Sequence, residues 1–454
     1  MVIPRVVIAG TSSGAGKTTV ACGLIGALRA RGSTVQGFKV GPDYIDPSYH
    51  ALASGRPGRN LDAFLSGPEL IAPLAGHGAQ GADIAVIEGV MGLFDGASGR
   101  GELASTGHIA KLLKAPVLLV VDAASMARSA AAIVHGYSTF DPDLALAGII
   151  FNHVGSDHHE QLLREAVEPL GIPVLGALRR DERIRTPERH LGLVPAGERE
   201  ERSRAALVAL AQALARYTDL EAIERLARAA PPLAGPAWSP EPPSAPTGDA
   251  RIAVARGRAF SFHYEENLEL LSAAGAELWP FDPTTDEALP EGAGALVLAG
   301  GFPEVFGSEL EANAALRAQV AAFAAAGRPI LAECGGLLFL LDGLDGHEMC
   351  GVLPGRATMS RRLTLGYREA VAATATPWLE AGERVRGHEF HYSQVTRSDE
   401  GTGAAWTLSA RGTERTEGFV AGAVQASYLH VHWAAHPELA WRFARAASAA
   451  RAAA

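Results

Sequence analysis

Residues 10–19 read GTSSGAGKTT, and this stretch decides the fold of the first half of the chain. It follows the apolar run VVIA and precedes the helix-like sequence VACGLIGALRARG. A glycine-rich loop between a buried strand and a helix N-terminus presents backbone N–H groups to an anion. We therefore predict a nucleotide phosphate site. Its candidate residues are Thr11, Ser12, Ser13, Gly14, Ala15, Gly16, Lys17, Thr18 and Thr19.

The loop has the residue types that phosphate chemistry needs. Its glycines let the backbone approach phosphate oxygens, Lys17 can reach the β- and γ-phosphates, and the Thr18 hydroxyl can hold Mg²⁺. The usual spacing would put glycine at position 11, but Thr11 stands there and Gly10 lies one residue earlier. The strand, the loop, Lys17 and Thr18 all match the phosphate-loop pattern. A nucleotide site is therefore favoured over an incidental glycine-rich turn.

The length and the pattern of the chain predict two α/β domains. A chain of 454 residues exceeds one typical hydrophobic core. Apolar strands alternate with helical stretches in both halves, which predicts parallel sheets covered by helices. Between the halves lies PPLAGPAWSPEPPSAP, which has a linker composition. We place a nucleotide-binding domain at 1–230, a linker at 231–249 and a second α/β domain at 250–445.

The composition excludes several classes of protein. The net charge of −10 provides no basic field for nucleic acid or a membrane surface. The sequence contains no run of about twenty apolar residues, so we expect no membrane span. The three cysteines show no C-x-x-C pairing, so neither a disulfide framework nor a zinc site is indicated. Because the sequence leads directly into the phosphate loop, we expect no cleavable signal peptide and a cytoplasmic protein.

Polar residues follow several of the predicted strands in the first half. Ligands of parallel sheets bind at the carboxyl ends of strands, where Glu88, Asp122 and Asn152 lie. Glu88 could orient Mg²⁺ or its water shell, with a helix-capping role as the alternative. Asn152 is a candidate for contacting the nucleotide base.

The segment FKVGPDYIDPSYH at 38–50 places many polar residues in a loop broken by glycine and proline. Loops at this edge of a sheet often carry binding groups, although ordinary turn chemistry is the alternative. We predict Asp43 as a further Mg²⁺ ligand beside Thr18 and Glu88. The candidate substrate-binding residues are Lys39, Asp43, Tyr44, Asp46 and Arg59, with further cations at Arg56 and in the arginine run at 178–193.

The second half contains a pattern for covalent catalysis. PILAECGGLLFLL at 329–341 predicts a strand, a sharp turn and a helix, with Cys334 at the turn as in a nucleophile elbow. We expect the helix N-terminus to lower the pKa of this thiol. A cysteine that merely fills the core is the alternative.

Two further stretches support a thioester mechanism. LVLAGGFPE at 296–304 provides a glycine turn after a strand, and the backbone N–H groups of Gly300 and Gly301 could form an oxyanion hole. ASYLHVHW at 426–433 supplies His430 and His432 as candidate bases. Together these features predict acyl transfer through Cys334.

These motifs carry a family resemblance. The second half resembles a class I glutamine amidotransferase domain, and residues 3–440 resemble the cobyrinic acid and hydrogenobyrinic acid a,c-diamide synthases. The occurrence of all these motifs in the same order is more specific than any single motif. The matching stretches are GTSSGAGKTT, FKVGPDYIDPSYH, RNLD, EGVMGLFDG, NHVGS, ERHLGL, AGGFPE, ECGG, GHEFHYS and ASYLHVHW.

The resemblance implies a dethiobiotin-synthetase-like ATP domain fused to an amidotransferase domain. It implies that ATP, Mg²⁺ and L-glutamine serve to amidate the a and c acetate groups of a corrinoid in cobalamin biosynthesis. By motif position His430 matches the catalytic base, and His432 is the second choice. Such domains often carry H-x-E, but here His432 occupies the place of the acid. Glu389 is a candidate replacement.

Several alternatives stay open at this point. We expect hydrogenobyrinic or cobyrinic acid as the substrate, with Ni-sirohydrochlorin as the alternative. The oligomeric state is open, with a homodimer among the choices. A synthase that amidates later positions of the corrin ring fits the motifs less well. A nucleotide-switched, partner-binding ATPase with an inactive amidotransferase domain is the alternative of another class. Such ATPases usually carry a second lysine early in the phosphate loop, where this chain has Thr11, Ser12 and Ser13.

Overall fold

The computed structural model describes residues 1–180, 188–189, 192–193, 200–241, 248–398, 401–410 and 412–452. They form two compact units, Met1–Ser239 and Pro240–Ala454. The predicted domain limits of 1–230, 231–249 and 250–445 remain predictions. Of the helices in the described ranges, none has the length and hydropathy needed to cross a membrane.

The first unit is built on a seven-stranded parallel sheet. Its strands are β1 (Arg5–Gly10), β2 (Val35–Val40), β3 (Arg59–Leu61), β4 (Ile84–Glu88), β5 (Val117–Asp122), β6 (Leu146–Val154) and β7 (Val174–Arg179). Their order is β3-β2-β4-β1-β5-β6-β7, and every neighbouring pair is parallel. The two-residue strands β8 (Glu188–Arg189) and β9 (Gly192–Leu193) pair separately. The predicted parallel α/β architecture is confirmed.

Helices connect these strands, and glycines set how closely two of them pack. The helices are α1 (Lys17–Ala30), α2 (Ile45–Ser54), α3 (Pro68–Gly78), α4 (Thr106–Leu112), α5 (Ser129–Thr139), α6 (Asp157–Val167), α7 (Glu200–Tyr217) and α8 (Leu220–Arg228). A Cβ on Gly23 of α1 would lie 2.6 Å from Leu214 Cδ2 of α7. The glycine therefore allows the helix that follows the phosphate loop to pack closely against α7.

The second unit contains a six-stranded sheet that carries the predicted elbow. Its strands are β10 (Ala250–Ala255), β11 (Ala276–Phe281), β12 (Ala295–Leu298), β13 (Ile330–Glu333), β20 (Phe419–Ala421) and β21 (Val424–Ser427). Their order is β11-β10-β12-β13-β21-β20, and only the β20–β21 pair is antiparallel. Its helices are α9 (Glu265–Ala273), α10 (Gly307–Ala312), α11 (Ala314–Ala325), α12 (Gly335–Leu340) and α13 (Pro437–Ala452).

A second, largely antiparallel sheet completes this unit, and the sequence analysis did not anticipate it. Its strands are β14 (Leu341–Leu344), β15 (His347–Glu348), β16 (Leu353–Ala372), β17 (Arg384–Arg397), β18 (Trp406–Ala410), β19 (Thr413–Glu417) and β22 (His430–Val431). The main order is β15-β14-β16-β17-β22, and β18 joins β16 to β19. Because β16 and β17 are long, polar and partly exposed, they lack the continuous apolar runs that marked the buried strands.

Glu417, at the end of β19, gives this unit a predicted pH dependence. Burial, reinforced by the charge of Glu389, raises the pKa of Glu417 to about 7 from 4.5. The folded chain thus binds a proton that the unfolded chain releases, so stability falls as pH rises between these values. From about pH 5.5 to about pH 7.5 the loss from this group is about 2 kcal/mol.

We expect the stability advantage of the wild type over Glu417→Gln to shrink by that amount across this pH range in urea unfolding. Glu414→Gln is the matched control, because Glu414 is exposed on the same strand. A wild-type advantage that is constant with pH would contradict the prediction.

Candidate active sites

A buried carboxylate organises the phosphate site of the first unit. Glu88 ends β4 and has no exposed surface. Its Oε1 accepts from the Thr18 hydroxyl at 2.5 Å and from Lys39 Nζ at 2.8 Å, and its Oε2 lies 2.7 Å from His50 Nε2. Lys39 also pairs with Asp46 Oδ2 at 2.6 Å. The network joins β2, β4, α1 and α2 behind the phosphate loop.

The network keeps its central pair charged. Burial alone would raise the pKa of Glu88, but Lys39 and the hydrogen bond with His50 hold it well below its usual range. Burial alone would lower the pKa of Lys39, yet Asp46 and Glu88 raise it. Burial and the charge of Glu88 raise the pKa of Asp46. A cation near Asp46 would therefore favour its charged form.

Two glycines of the phosphate loop make room for neighbouring side chains. Gly16 has φ of 101°, and a Cβ there would lie 2.1 Å from Asn152 Nδ2. A Cβ on Gly10 would lie 2.9 Å from Lys17 Cγ. Gly10 therefore provides the space for the lysine stem, and Thr11 can stand where the usual pattern has glycine. Thr11 instead extends the sheet, donating its N–H to Val120 O at 3.2 Å.

The phosphate-loop lysine is held by backbone carbonyls. Lys17 Nζ donates to Ser12 O at 3.0 Å and to Met91 O at 2.6 Å. Burial, with a contribution from the charge of Lys39, lowers the pKa of Lys17 to about 8. An anion bound in the loop would stabilise the charged form of this side chain.

Asn152 lies beneath the loop and is 3% exposed. Its Nδ2 donates to Ala15 O at 3.1 Å, and its Oδ1 accepts from the N–H of His153 at 3.0 Å. These bonds fix the loop to the end of β6. They give Asn152 a supporting position, and its predicted contact with the nucleotide base remains a prediction.

The structure separates the predicted substrate-binding residues into two groups. Lys39 and Asp46 are buried in the Glu88 network. Asp43 is half-buried, and its Oδ1 accepts from the N–H of Ile45 at 2.7 Å at the start of α2. Asp46, rather than Asp43, approaches Thr18, with 3.5 Å between Oδ2 and Oγ1. Among the hydrogen bonds and ion pairs of the described residues, none joins Asp43 to Thr18 or Glu88. The predicted role of Asp43 as a metal ligand therefore remains a prediction.

The other candidate residues for the substrate are also enclosed by protein. Tyr44 precedes α2 and is 8% exposed, and Arg59 is 9% exposed. Arg56 donates to Gln36 Oε1 and to two backbone carbonyls. Most of the arginine run at 178–193 lies outside the described residues. Within it, Arg179 pairs with two acidic side chains of α6. All of these substrate assignments remain predictions.

Cys334 occupies a sharp turn between β13 and α12. Its φ of 46° is unusual for a side-chain-bearing residue, as expected at a nucleophile elbow. Its N–H donates to Ser427 O at 2.7 Å, which ties the elbow to β21. A Cβ on Gly336 would lie 2.1 Å from Leu298 O, so the elbow can pack against β12 only with glycine there.

The predicted oxyanion turn lies against this elbow. A Cβ on Gly335 would lie 2.9 Å from Gly301 N, and a Cβ on Gly300 would lie 2.5 Å from His430 Cε1. The glycine turn therefore contacts both the nucleophile's helix and the candidate base. The structure thus brings together the predicted residues Cys334, Gly300, Gly301 and His430.

The predicted lowering of the thiol pKa is wrong. Burial, reinforced by Glu304 and Glu333, raises the pKa of Cys334, and the hydrogen bond with Gly335 opposes this shift only in part. The helix α12 has six residues, and Cys334 is 4% exposed. Cys334 is therefore held as a neutral thiol, and a base must accept its proton.

His430 and His432 have different surroundings. His430 Nδ1 lies 3.4 Å from Glu333 Oε2, and the His430 ring stacks on His388 with centroids 5.0 Å apart. His432 Nδ1 accepts from the N–H of Ala434, and its Nε2 lies 3.5 Å from Glu266 Oε2. Of the two histidines, His430 is the one whose ring approaches the predicted oxyanion turn at Gly300, which favours His430 as the base.

The suggested replacement acid, Glu389, points elsewhere. Its Oε2 accepts from Arg368 Nε at 2.5 Å, and its Oε1 pairs with Arg415. Burial would raise the pKa of Glu389, but hydrogen bonds with His391 and Arg415 lower it to about 2. Adjacent residues of a strand face opposite sides, and it is His388 that stacks on His430. Glu389 therefore does not orient the base.

Sequence reasoning missed three functional candidates. His50 was part of the polar loop but was not connected to Glu88, from which it is 38 residues distant. Glu333 immediately precedes the nucleophile in ECGG, and His388 lies in GHEFHYS. The motifs ECGG and GHEFHYS could have marked Glu333 and His388 as candidates. Only the pairing of β17 with β22 shows that His388 lies beside His430.

We expect the Lys39→Met variant to lose about 3–5 kcal/mol of unfolding free energy, because two buried carboxylates lose their cation. Lys111→Met is the control. Lys111 pairs with Glu102 and Asp141 at a more exposed site, so its removal should cost less than about 1 kcal/mol. Urea unfolding of the full chain at neutral pH measures both, and equal losses would contradict the prediction.

Comparisons with known proteins match both halves of the chain to families. Residues 6–194 match the family model described as the CobQ/CobB/MinD/ParA nucleotide binding domain. Residues 251–438 match the one described as the CobB/CobQ-like glutamine amidotransferase domain. The chain therefore combines a nucleotide-binding domain with an amidotransferase domain, as predicted.

Three relatives are similar along almost their whole length. Hydrogenobyrinate a,c-diamide synthase of Streptomyces coelicolor is 55% identical over 97% of this chain and 97% of that protein. The protein of the same name from Mycobacterium bovis is 51% identical over 98% of each chain. Cobyrinate a,c-diamide synthase of Syntrophotalea carbinolica is 46% identical over 98% of each chain. The chain therefore belongs to the hydrogenobyrinate and cobyrinate a,c-diamide synthase family.

Proposed function

We propose that the chain amidates the a and c carboxylates of hydrogenobyrinic acid or cobyrinic acid, using ATP and glutamine, in cobalamin biosynthesis. The observation that carries this proposal is the 55% identity to a hydrogenobyrinate a,c-diamide synthase over 97% of both chains. The two sites described above would supply the two kinds of chemistry that such a reaction needs.

The first unit would activate the carboxylate. A carboxylate carbon is a poor electrophile, and oxide is a poor leaving group. Transfer of the ATP γ-phosphoryl group to a carboxylate oxygen gives an acyl phosphate, and ammonia can then displace inorganic phosphate. Lys17 would contact the transferring group, while the backbone N–H groups of the loop hold the neighbouring phosphates. The phosphoryl group would therefore pass to the substrate rather than to water.

The oxygen atoms near the loop fit Mg²⁺. The Thr18 hydroxyl and the Asp46 carboxylate lie together and would hold the ion. Glu88 already accepts from Thr18, Lys39 and His50, so it suits a supporting role behind these ligands. When bound, Mg²⁺ neutralises charge on the β- and γ-phosphates. The sequence prediction of Asp43 as a ligand is the alternative.

The second unit would supply the ammonia. His430 takes the thiol proton as Cys334 Sγ attacks the carboxamide carbon of glutamine, and Gly300 and Gly301 would donate to the oxyanion. The carbon–nitrogen bond breaks, and the proton on His430 passes to the departing ammonia. Water then hydrolyses the thioester, giving glutamate and the free thiol.

The proposal also covers the substrate-binding residues, the oligomeric state, the location and the alternative functions. Lys39, Asp43, Tyr44, Asp46 and Arg59 remain the predicted residues near the substrate. A homodimer, a cytoplasmic location and the absence of a nucleic-acid partner rest on the sequence alone. Ni-sirohydrochlorin is the alternative substrate, and a nucleotide-switched ATPase with an inactive second unit is the alternative of another class.

We expect two amides per molecule when the full chain is incubated with ATP, Mg²⁺, glutamine and either hydrogenobyrinic or cobyrinic acid, counted by mass spectrometry. Cys334→Ala should lose the glutamine-dependent reaction but recover it with an ammonium salt, because only the thioester step is removed. Cys350→Ala is the control, since Cys350 is a buried cysteine outside the elbow. Hydrolysis of ATP without amide formation would favour the alternatives.

The magnesium site can be tested with two neighbouring aspartates. Asp46→Asn should raise the Mg²⁺ concentration for half-maximal ammonium-dependent amidation by about tenfold, because it removes a charged ligand. Asp43→Asn is the matched variant and should shift that concentration by less. A larger shift for Asp43→Asn would instead support the ligand predicted from sequence.

A further inference from the structure

The segment H-V-H at 430–432 lacks the acid that the H-x-E pattern would supply to His430, but another carboxylate faces this histidine. Glu333 Oε2 lies 3.4 Å from His430 Nδ1, and Glu333 Oε1 accepts from the N–H of Val431 at 3.4 Å. Both oxygens of Glu333 are thus directed to β22, the short strand that carries the base. The Glu333 side chain is 15% exposed and His430 is 1% exposed.

The strand register explains this approach. Glu333 ends β13 and pairs with Ser427, the last residue of β21. The chain turns through Tyr428 and Leu429 and enters β22 at His430. The strand β13 therefore ends with the acid, Cys334 is the next residue of the chain, and His430 returns beside Glu333.

We propose that Glu333 is the third member of the Cys334–His430 site, a positioning residue that acts through His430 Nδ1. This inference rests on the proposed glutamine-dependent function of the second unit. A carboxylate at Nδ1 keeps the proton on that nitrogen and leaves Nε2 as the proton acceptor. It also stabilises the imidazolium that forms when Nε2 takes the thiol proton.

Three other carboxylates of the second unit have different partners. Glu389 is paired with Arg368 and Arg415, and Glu266 faces His432. Glu417 accepts from Ser427 Oγ and from the N–H of Tyr428 at 2.8 Å, so it holds the turn rather than the base.

The charge of Glu333 also helps to explain the neutral thiol. Glu333 is one of the groups that raise the pKa of Cys334, so it disfavours an isolated thiolate. The proton of Cys334 would therefore leave only when His430 accepts it, which gives a thiolate–imidazolium pair. In that pair Glu333 lies next to the imidazolium of His430.

The test compares Glu333→Gln with Glu266→Gln, since each removes the charge facing one histidine of the H-V-H segment. Glutamate release from glutamine gives kcat, KM and their pH profile, and ammonium-dependent amidation is measured on the same preparations. We expect Glu333→Gln to lower kcat for glutamate release on the order of 100-fold with little change in KM. The acidic limb of its kcat/KM profile should move to lower pH, and Glu266→Gln should stay within about threefold of the wild type.

A double variant separates positioning from a structural effect. If Glu333 acts only through the base, adding Glu333→Gln to His430→Ala should cause no further loss. Glu333→Asp, which keeps the charge, should recover part of the rate. Wild-type glutamate release by Glu333→Gln, an equal loss in Glu266→Gln, or additive losses in the double variant would each overturn the proposal.

These outcomes are distinguishable from failure of the proposed function. Glutamate release, and inactivation of Cys334 by the electrophilic glutamine analogue 6-diazo-5-oxo-L-norleucine, report on the second unit without any corrinoid. If no corrinoid is amidated, the proposed substrate is wrong, whereas the comparison of Glu333→Gln with Glu266→Gln still decides the role of Glu333.

Discussion

The buried carboxylate of Glu88 is the constraint on which the first unit depends. A charge without exposed surface is unfavourable unless other groups compensate it, and here Lys39, His50 and Thr18 all face it. These partners come from β2, α2 and α1, so the ion pair fixes how three elements meet at the carboxyl edge of the sheet. The arrangement also sets the Thr18 hydroxyl and the Asp46 carboxylate side by side. The same contacts therefore stabilise the unit and prepare the phosphate site.

The second unit solves a different problem, which is how to hold a reactive thiol in a buried place. Burial raises the pKa of Cys334, so the folded chain suppresses the thiolate in the absence of substrate. The close approach of the elbow to β12 and to the glycine turn requires glycines at 300, 335 and 336, because a Cβ at any of them would overlap neighbouring atoms. In the proposed mechanism the reactivity of Cys334 depends on His430, whose position is set by strand pairing. The packing keeps the thiol neutral and places His430 against the glycine turn that lies on the elbow.

Features that a short contiguous segment encodes could be predicted from the sequence, whereas features that depend on distant segments could not. The phosphate loop and the ECGG elbow are local, since strand, turn and helix are contiguous and glycine spacing reports close backbone contact. The strands β16 and β17 escaped notice because their exposed faces carry polar residues. Glu389 was a reasonable candidate acid by motif alone, and the alternation of side chains along β17 excludes it. Asp43 and Asp46 are equally plausible by composition, and only the helix α2 turns Asp46 toward Thr18.

The sequence by itself determined the parallel α/β architecture, the division of chemistry between a phosphate loop and a cysteine elbow, and the family. These features depend on short contiguous patterns and on their order along the chain. The tertiary structure decided which distant groups pair: His50 with Glu88, Asp46 with Thr18, and Glu333 with His430. It also decided the direction of the pKa shift of Cys334, because the desolvation of a side chain depends on everything packed around it. Burial and long-range charge are properties of the folded chain, and no local sequence pattern specifies them.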